Sequence, residues 1–352
     1  MRYSKDYLFD LAFRFLRATG SDEGEASIVA DHMINANLRG HDSHGIGMIG
    51  MYTNYLKAGY LHPNTPPTLV KDKGSILQFQ GNLGYGQRAG FEATAAAIAR
   101  AKENGLCMYT IANCCHLGRI GTYGEMAADA GMVSIHFVNV NQYHPLVAPY
   151  CGSEARFGTN PFCVAMPATD KYGMFVLDFA TSIVALGKTR VAMLAGKKFD
   201  EPVIVDPQGQ LTNDPNVMWQ ENPGALLAFA KHKGSGLCFA CELLAGILSG
   251  GETIQPAHPR NDSIVNNMTA FVIDTAALCD LSFMRSEMQA MIDYVKSSHA
   301  ADPVNNPVLM PGEPERIRTK DRLENGIEIA DGEFNVIKKT CLDVGVDASL
   351  FA

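Results

Sequence analysis

Two imidazoles stand close together in one short polar segment, His41-Asp42-Ser43-His44-Gly45. A histidine can move a proton near neutral pH, and a neighbouring hydroxyl or carboxylate can fix which ring nitrogen holds that proton. The segment therefore predicts general acid–base chemistry. A helix-capping turn, whose polar side chains satisfy backbone groups, explains the same residues equally well.

Two further clusters combine glycine with basic residues where a helix is expected to begin. One contains His116, Gly118 and Arg119, and the other is Lys231-His-Lys233-Gly-Ser-Gly236. Backbone N–H groups at a glycine-rich helix start attract anions, and an arginine adds a bidentate cation. These clusters suggest a ligand that carries phosphates, although ordinary turns would show the same composition.

The segment Gly81–Gly90 is the nearest match to a nucleotide-binding loop, because it follows a strand-like run and precedes a helix. Its glycines fall as G-x-G-x-x-x-G instead of G-x-G-x-x-G, and the next strand ends without the acidic residue of a Rossmann site. We therefore expect a mainly structural loop. Phosphate-loop, H-E-x-x-H and G-x-S-x-G motifs are absent from the sequence, which argues against common NTPases, zinc proteases and hydrolases.

Composition excludes several other classes of protein. The 352 residues include 29 Lys and Arg against 37 Asp and Glu, and the resulting net charge of −8 disfavours nucleic acid as a partner. Charges such as Asp6 and Arg14 interrupt the N-terminal apolar stretch, so we expect a cytoplasmic protein without a signal peptide or membrane span. Nine cysteines indicate reduced thiols, and the lone pair Cys238-x-x-Cys241 is more typical of core residues than of a metal site.

The elements that must position these clusters are mixed. Helical periodicity predicts helices over 1–20, 22–38 with Ser21 as N-cap, 48–59, 89–102 and 123–130, with further helices after residue 281 and a Pro-rich interruption at 303–314. A proline-containing linker is expected over 63–67. Short apolar runs between turns predict strands, namely SILQFQ, LCMYTIAN, MVSIHFVNV, PFCVAMP, MFVLDFA, PVIVD and MTAFVIDT.

Six sequence blocks together resemble one known family, in the same order and over nearly the whole chain. The blocks are His41-Asp-Ser-His-Gly-Ile46, His116-Leu-Gly-Arg-Ile-Gly121, Phe157-Gly-Thr-Asn-Pro161, Leu177-Asp-Phe-Ala-Thr-Ser182, Lys233-Gly-Ser-Gly-Leu237 and Leu309-Met-Pro-Gly-Glu313. They are similar to the second type of malate/L-lactate dehydrogenase, which includes ureidoglycolate and sulfolactate dehydrogenases, a piperideine-2-carboxylate reductase and hydroxycarboxylate dehydrogenases of broad specificity.

The resemblance implies an α/β fold that is not a Rossmann fold, with a predominantly antiparallel central sheet that binds NAD(P). A helical domain would be built from both termini, over 1–72 and 285–352. The NAD(P)-binding domain would cover 73–284, with a small inserted subdomain around 185–245. Relatives of this type imply a homodimer.

The implied activity is hydride transfer between NAD(P) and C2 of a 2-hydroxy or 2-oxo carboxylic acid of the malate, lactate or larger hydroxycarboxylate type. NAD is the expected cofactor, with NADP possible, and no metal is expected. The alternatives are a cyclic imine reductase or ureidoglycolate-type dehydrogenase on the same scaffold, and a non-catalytic nucleotide-binding protein. The intact Ser43-His44 pair disfavours the last of these.

By resemblance, His44 is the acid–base residue, Ser43 orients it, and His116 is the second candidate for the same role. Thr159 and Asn160 would line the pocket for substrate and nicotinamide. The implied cofactor contacts are His44, Gly118, Arg119, Ile120, Val176, Leu177, Asp178, Phe179, Lys233, Asn267, Gly312 and Glu313.

Two positions depart from the family pattern. Met48 stands in the substrate site where many relatives carry an arginine that binds the substrate carboxylate, so we expect Arg119 to supply this cation. Lys188 stands where the imine reductase has a catalytic aspartate. A lysine there favours hydroxy acids, because its charge can polarise a carbonyl oxygen or hold an anion.

Overall fold

The computed structural model describes residues 1–302 and 307–351. Its strands are β1 (Arg2–Tyr3), β2 (Thr68–Lys73), β3 (Ile76–Gln80), β4 (Leu106–Cys115), β5 (Met132–Asn141), β6 (Phe162–Met166), β7 (Phe175–Phe179), β8 (Ile204–Val205), β9 (Leu211–Thr212), β10 (Ala225–Leu226), β11 (Val265–Asp274) and β12 (Ile327–Glu328). Its α-helices are α1 (Lys5–Ala18), α2 (Glu23–Leu38), α3 (Ile49–Ala58), α4 (Gly86–Asn104), α5 (Gly121–Asp129), α6 (Leu186–Leu194), α7 (His232–Ser249), α8 (Leu281–Lys296), α9 (Glu313–Asn325) and α10 (Asp331–Asp343).

A seven-stranded sheet forms the centre of the molecule, with strand order β2-β3-β4-β11-β5-β6-β7. The pair β3–β4 is parallel, and α4 connects its two strands. The remaining neighbours in the sheet pair antiparallel. The expectation of a predominantly antiparallel α/β fold is confirmed, with one parallel pair added, and this strand order differs from the parallel Rossmann arrangement.

Helices cover both faces of this sheet. Val138 of β5 belongs to the core that α4 and α5 share with the sheet, whereas the next residue, Asn139, hydrogen-bonds to Glu242 of α7. Consecutive strand residues point to opposite faces, so α4 and α5 lie on one face and α7 on the other. The central strands are therefore buried on both sides.

The two terminal segments form one helical unit. Leu8, Leu11 and Phe15 of α1 lie in the same core as Ile337 and Cys341 of α10, and β1 pairs antiparallel with β12. The apolar residues of α1 recur at helical spacing and are completely buried, which is the reason this short helix is stable. Residues far apart in sequence thus share one hydrophobic core.

A second, smaller sheet has strand order β10-β8-β9 and packs with α6 around a core that contains Ile204 and Leu226. It lies within the region where the inserted subdomain is predicted, around 185–245. Since α7 packs on β5 and β11 of the main sheet, we propose that the inserted unit ends before His232 and not at residue 245. The other domain boundaries stay predictions.

Most predicted elements appear, with some corrections. All seven predicted strands form, but β2 occupies the chain just after the predicted linker and exposes every side chain. The N-cap of α2 is Asp22, whose carboxylate accepts from the backbone N–H of Glu25, while the expected cap Ser21 donates to the Glu25 carboxylate. The predicted interruption at 303–314 falls partly on residues 303–306, which lie outside the described residues.

Cys238 and Cys241 are fully buried free thiols on α7. Burial raises the pKa of both thiols to about 12, so neither is a reactive thiolate at neutral pH. Their interpretation as core residues is confirmed. Among the described helices, none combines the length and hydrophobicity that a membrane span requires.

Candidate active site

Three segments with predicted functions meet at one end of the central sheet. His116 follows the end of β4, Asn160 precedes β6, and Thr181 follows β7. The strand register explains why these residues are close together. Cys115 at the end of β4 pairs with Val265 on β11, which lies next to the end of β5. Phe162 at the start of β6 pairs with Phe179 at the end of β7. The antiparallel order therefore collects residues that are far apart in sequence.

The turn Asp42–His44 is held over this sheet end by the helical unit. The guanidinium of Arg322 on α9 donates two hydrogen bonds to the Asp42 carboxylate, at 2.6 and 2.9 Å. Asn37 of α2 donates to Asp42 at 2.7 Å and accepts from the backbone N–H of Ile46 at 2.8 Å. A Cβ at Gly45 would lie 2.2 Å from the Asn37 side chain, so this close approach requires glycine. Helices from both termini thus fix the position of His44.

His44 and His116 form one hydrogen-bonded pair. Nδ1 of His44 lies 3.2 Å from Nε2 of His116, and Nδ1 of His116 lies 3.0 Å from the Tyr52 hydroxyl. The residue that orients the His44 ring here is His116, whereas Ser43 is exposed. The two histidines expected to compete for one catalytic role are therefore neighbours in the same site.

Both imidazoles are neutral at physiological pH. His44 keeps part of its surface open, yet burial first, and then the charges of His41 and Arg119, lower its pKa to about 4. Burial, followed by His44 and His32, lowers the pKa of His116 well below its usual range. A neutral imidazole has one N–H, which donates a hydrogen bond, and one lone pair, which can accept a proton.

We expect the protein to lose stability as the pH falls from about 7.5 to about 5.5. The folded-state pKa values of His32 and His136 are lowered by burial to about 3, against an ordinary value of 6.5. The unfolded chain therefore binds protons below pH 6.5 that the folded chain does not bind. Each such imidazole lowers the free energy of unfolding by roughly 1 kcal/mol over this range, measurable by urea denaturation at the two pH values.

His136 offers a control for this prediction, because it lies in β5 and hydrogen-bonds to Ser134 in the interior. The His136→Leu variant should show a smaller fall in unfolding free energy over the same pH range. Identical unfolding free energies at both pH values in the natural protein would contradict the prediction.

Arg119 is buried, with its side chain only 1% exposed. Its guanidinium lies 3.0 Å from the Glu125 carboxylate and 3.8 Å from that of Asp178, and its backbone N–H donates to Nε2 of His32. Two internal carboxylates thus lie beside this charge, and one of them, Glu125, also pairs with Arg39. The pairing of Arg119 with a substrate carboxylate stays a prediction, and these ion pairs favour a positioning role.

Most of the predicted cofactor contacts come together around the start of α5. Asp178 accepts a hydrogen bond from the backbone N–H of Gly121 at 2.7 Å, which joins β7 to the segment Gly118–Ile120. On the other side of β7, the backbone N–H of Val176 donates to Pro311. Gly312 follows in a left-handed conformation, and Glu313 pairs with Lys296 at 2.7 Å. Three separate blocks of sequence thus form one surface, which we call the surface around α5. The blocks are Gly118–Ile120, Val176–Phe179 and Gly312–Glu313.

Asn160 is fully buried beside the site, with a left-handed backbone at φ 31°. Its side-chain N–H₂ donates to the Glu242 carboxylate at 2.7 Å, and its Oδ1 accepts no hydrogen bond from the described residues. Burial raises the pKa of Glu242, although hydrogen bonds from Asn139, the Ile254 backbone and Asn160 oppose that rise. The neighbouring Thr159 is linked to β7 through its carbonyl, which accepts from the Thr181 N–H.

Asn267 lies apart from the surface at α5. Its side chain is fully buried, donates to Oδ1 of Asn139 and to the backbone carbonyl of Gly251, and accepts from the backbone N–H of Asn113. Since its amide is occupied by these groups, we propose that Asn267 supports the sheet end instead of contacting the cofactor directly.

Three other predicted residues lie at the edges of the site. Lys188 is exposed in the first turn of α6, and its neighbour Gly187 lies near the turn Asp42–His44, since a Cβ at Gly187 would lie 3.8 Å from the Ser43 side chain. Met48 packs against the core of the helical unit. Lys233 is exposed at the start of α7. The segment just before α7 is connected to the end of β7 by a hydrogen bond from the Phe229 N–H to the Thr181 carbonyl.

Sequence reasoning missed several residues that complete the site, namely Tyr52, Gln87, Glu242 and Arg322. Glu242 had a usable signal, because it is the single charge within the apolar run LCFACELLAGIL, and a charge in such a run is expected to be paired. The other three had none, since their roles depend on contacts between distant segments.

Comparison with known proteins gives a consistent result. The family model described as malate/L-lactate dehydrogenase matches residues 3–338. The chain belongs to the malate/L-lactate dehydrogenase family. It is therefore an oxidoreductase of the hydroxy acid dehydrogenase type, in a family that generally depends on pyridine nucleotides.

Similar members of the family include hydroxycarboxylate dehydrogenase B from Escherichia coli K12, which is 40% identical over 347 residues, 98% of this chain and 95% of that protein. L-lactate dehydrogenase from Cupriavidus necator is 39% identical over 290 residues, 82% of this chain and 83% of that protein. The solved structure of sulfolactate dehydrogenase from Methanocaldococcus jannaschii aligns with a TM-score of 0.86 at 30% identity, over 99% of this chain and 98% of that one.

Proposed function

We propose that this protein transfers a hydride between NAD(P) and C2 of a 2-hydroxy or 2-oxo carboxylic acid. The observation that carries the proposal is the neutral, hydrogen-bonded pair of His44 and His116 at the sheet end. When bound, the nicotinamide ring supplies the hydride acceptor or donor.

The histidine pair supplies the proton step that hydride transfer requires. In the oxidation direction, the C2–H bond loses a hydride and the hydroxyl loses its proton to the neutral His44 ring, so the C–O bond becomes a carbonyl and the ring becomes an imidazolium. In reduction, this imidazolium returns the proton to the oxygen as C2 gains the hydride, and the ring becomes neutral again. His116 orients the His44 ring through its hydrogen bond to Nδ1.

We place the pyridine nucleotide at the surface around α5. Gly118 and Gly121 let protein groups pack closely beneath it, because an added Cβ would lie 2.3 Å from His32 at the first position and 2.6 Å from Arg119 at the second. We assign cofactor contacts to Gly118–Ile120, Val176–Phe179, Lys233 and the pair Gly312–Glu313. NAD is the expected cofactor, with NADP as the alternative.

Asn160 and Thr159 are assigned to the pocket for substrate and nicotinamide. The Oδ1 of Asn160 is a buried acceptor that accepts no hydrogen bond from the described residues. An unpaired buried acceptor is costly, and a hydroxyl of the substrate or the amide of the nicotinamide would satisfy it.

Lys188 is the cation we favour for the substrate carboxylate, because it is exposed and its neighbour Gly187 lies near Ser43, while Arg119 is already paired inside the protein. The Lys188→Ala variant should raise the KM for a 2-oxo acid by roughly 10-fold, as loss of one charge-assisted hydrogen bond predicts. Steady-state kinetics with a 2-oxo acid and with a matched ketone that lacks the carboxylate measure this effect.

Lys197 provides the matched control, since it is an exposed lysine just beyond the same helix. The Lys197→Ala variant should keep the KM of the natural protein. If Lys188→Ala raised KM equally for the acid and the ketone, a role in binding the carboxylate would be refuted. The same comparison with Arg119→Ala tests the earlier prediction for that residue.

The proposed activity itself is tested by mixing the protein with NADH or NADPH and a panel of 2-oxo acids, and following absorbance of the reduced cofactor. Consumption with one or more acids supports the proposal. A cyclic imine in the same panel tests the imine reductase alternative. Demonstrated cofactor binding without turnover of any substrate would instead favour a nucleotide-binding protein without catalysis.

We also expect a cytoplasmic homodimer whose partners are small molecules. One face of α7 exposes the apolar side chains Phe239, Leu243, Ile247 and Leu248, and continuous apolar surface of this kind is typical of subunit contacts. Light scattering of the purified protein, which measures its molar mass, tests the dimer.

A further inference from the structure

A buried chain of hydrogen bonds continues behind the histidine pair. Nε2 of Gln87 lies 2.5 Å from the hydroxyl oxygen of Tyr52, which lies 3.0 Å from Nδ1 of His116. Nε2 of His116 then lies 3.2 Å from Nδ1 of His44. Gln87 and Tyr52 are both completely buried. Four side chains from four segments of the sequence are thus linked in a row that ends at the proposed acid–base residue.

The direction of this chain follows from the groups that compose it. An amide N–H₂ can only donate, so the Tyr52 oxygen accepts from Gln87. The Tyr52 hydroxyl stays protonated, because burial raises its pKa well above the usual range. Its described partners are Gln87 and His116, and its one hydrogen is therefore donated to Nδ1 of His116.

The two imidazoles pass this direction on. Since Nδ1 of His116 accepts, the single proton of this neutral ring sits on Nε2 and is donated to Nδ1 of His44. Nδ1 of His44 is then an acceptor, and its own proton sits on Nε2. The hydrogen bond that one ring nitrogen makes decides which nitrogen of a histidine carries the proton. For His44 this is the bond at Nδ1, and it belongs to a chain that begins with the Gln87 amide as donor.

We propose that Gln87 is a positioning residue that selects the Nε2–H tautomer of His44 through Tyr52 and His116. This inference rests on the proposed role of His44 and deepens it. The Nε2–H group that results is suited to donate a hydrogen bond to the carbonyl oxygen of a 2-oxo acid and so to polarise it. The effect of Gln87 on His44 passes through Tyr52.

The loop that resembled a nucleotide site contributes to this arrangement. Gln87 lies in the first turn of α4, directly after the segment Gly81–Gly86. The backbone of that segment bonds to the end of β4, through the Cys115 N–H and the Gly84 carbonyl. Its glycines therefore hold Gln87 close to the residue that precedes His116.

The first test measures tautomers and needs neither substrate nor cofactor. In protein labelled with ¹⁵N-histidine, the ring nitrogen shifts of His44 and His116 should show an unprotonated Nδ1 and a protonated Nε2 in both rings. The Gln87→Met variant, which keeps the length of the side chain without its amide, should show mixed tautomers. Protonated Nδ1 in both rings of the natural protein, or tautomers unchanged in the variant, would overturn the proposal.

The second test is a double-mutant cycle on kcat/KM. Gln87→Met and Tyr52→Phe should each lower kcat/KM by roughly 10-fold, and the double variant should lose no more than either one, because Gln87 acts only through Tyr52. Losses that multiply to roughly 100-fold would indicate independent structural effects and refute the proposal. Circular dichroism and thermal unfolding confirm that each variant is folded.

Gln78 supplies a matched control for loss of a glutamine hydrogen bond. Its Nε2 donates to the Ser249 carbonyl on the far side of the sheet from α4. The Gln78→Met variant should keep both the tautomers and kcat/KM of the natural protein. Absence of turnover in the natural protein would contradict the proposed function alone, because the tautomer measurement would still decide the role of Gln87.

Discussion

Replacing His44 with alanine should lower kcat by at least about 100-fold, and as much as 10,000-fold, which is the usual contribution of a positioned acid–base group. The variant removes the ring that we propose exchanges a proton with the substrate oxygen, while the surface around α5 is left intact. Affinity for the reduced cofactor should therefore change little. Turnover is followed by absorbance at saturating 2-oxo acid, and cofactor binding by fluorescence titration.

An exposed histidine gives the control, because His62 follows α3 and its ring nitrogen lies within hydrogen-bonding distance of the Gly59 carbonyl. The His62→Ala variant should retain the turnover of the natural protein. Near-normal turnover in His44→Ala would move the acid–base role to His116, which lies 3.2 Å away. The His116→Ala variant should still show a reduced rate, since it leaves His44 without the bond that orients its ring.

Replacing Gly86 with alanine should lower the free energy of unfolding by about 2–4 kcal/mol, within the range of strong overpacking effects. A Cβ at this position would lie 2.0 Å from the backbone carbonyl oxygen of Cys115 and 2.5 Å from that of His116. Backbone atoms cannot rotate away as a side chain does, so α4 or the end of β4 must shift. Urea denaturation measures the loss, and kcat should fall with it because His116 is displaced.

Gly332 is the matched control, because it is also near the start of a helix and a Cβ there would meet no atom within 4 Å. The Gly332→Ala variant should have the same free energy of unfolding as the natural protein, or one that is higher by at most about 1 kcal/mol. If Gly86→Ala unfolded no more easily than Gly332→Ala, the close packing of α4 on β4 would be refuted.

The elements that could be predicted from sequence are those whose burial pattern is local. The apolar face of α1 and the short strands of the central sheet show their periodicity directly, and the structure has them within a few residues. β2 was not predicted, because its polar, fully exposed residues carry no alternation and its conformation depends on pairing with β3.

The candidate site was predictable as a set of residues and not as an arrangement. The motifs around His44 and His116 were evident from residue type, whereas the bond between the two rings follows from bringing α2, α9 and β4 together. Arg119 shows what could not be predicted from residue type. Its type suggested a substrate contact, but only the fold shows that Glu125 and Asp178 surround it.

The ion pair of Asp42 with Arg322 has a consequence for biosynthesis. The turn that carries His44 is translated early, while α9, which holds that turn, leaves the ribosome some 280 residues later in sequence. Nascent chains can fold their central sheet first, but the turn that carries His44 is held in place only after α9 has docked. Chains released before α9 is synthesised are therefore expected to be inert.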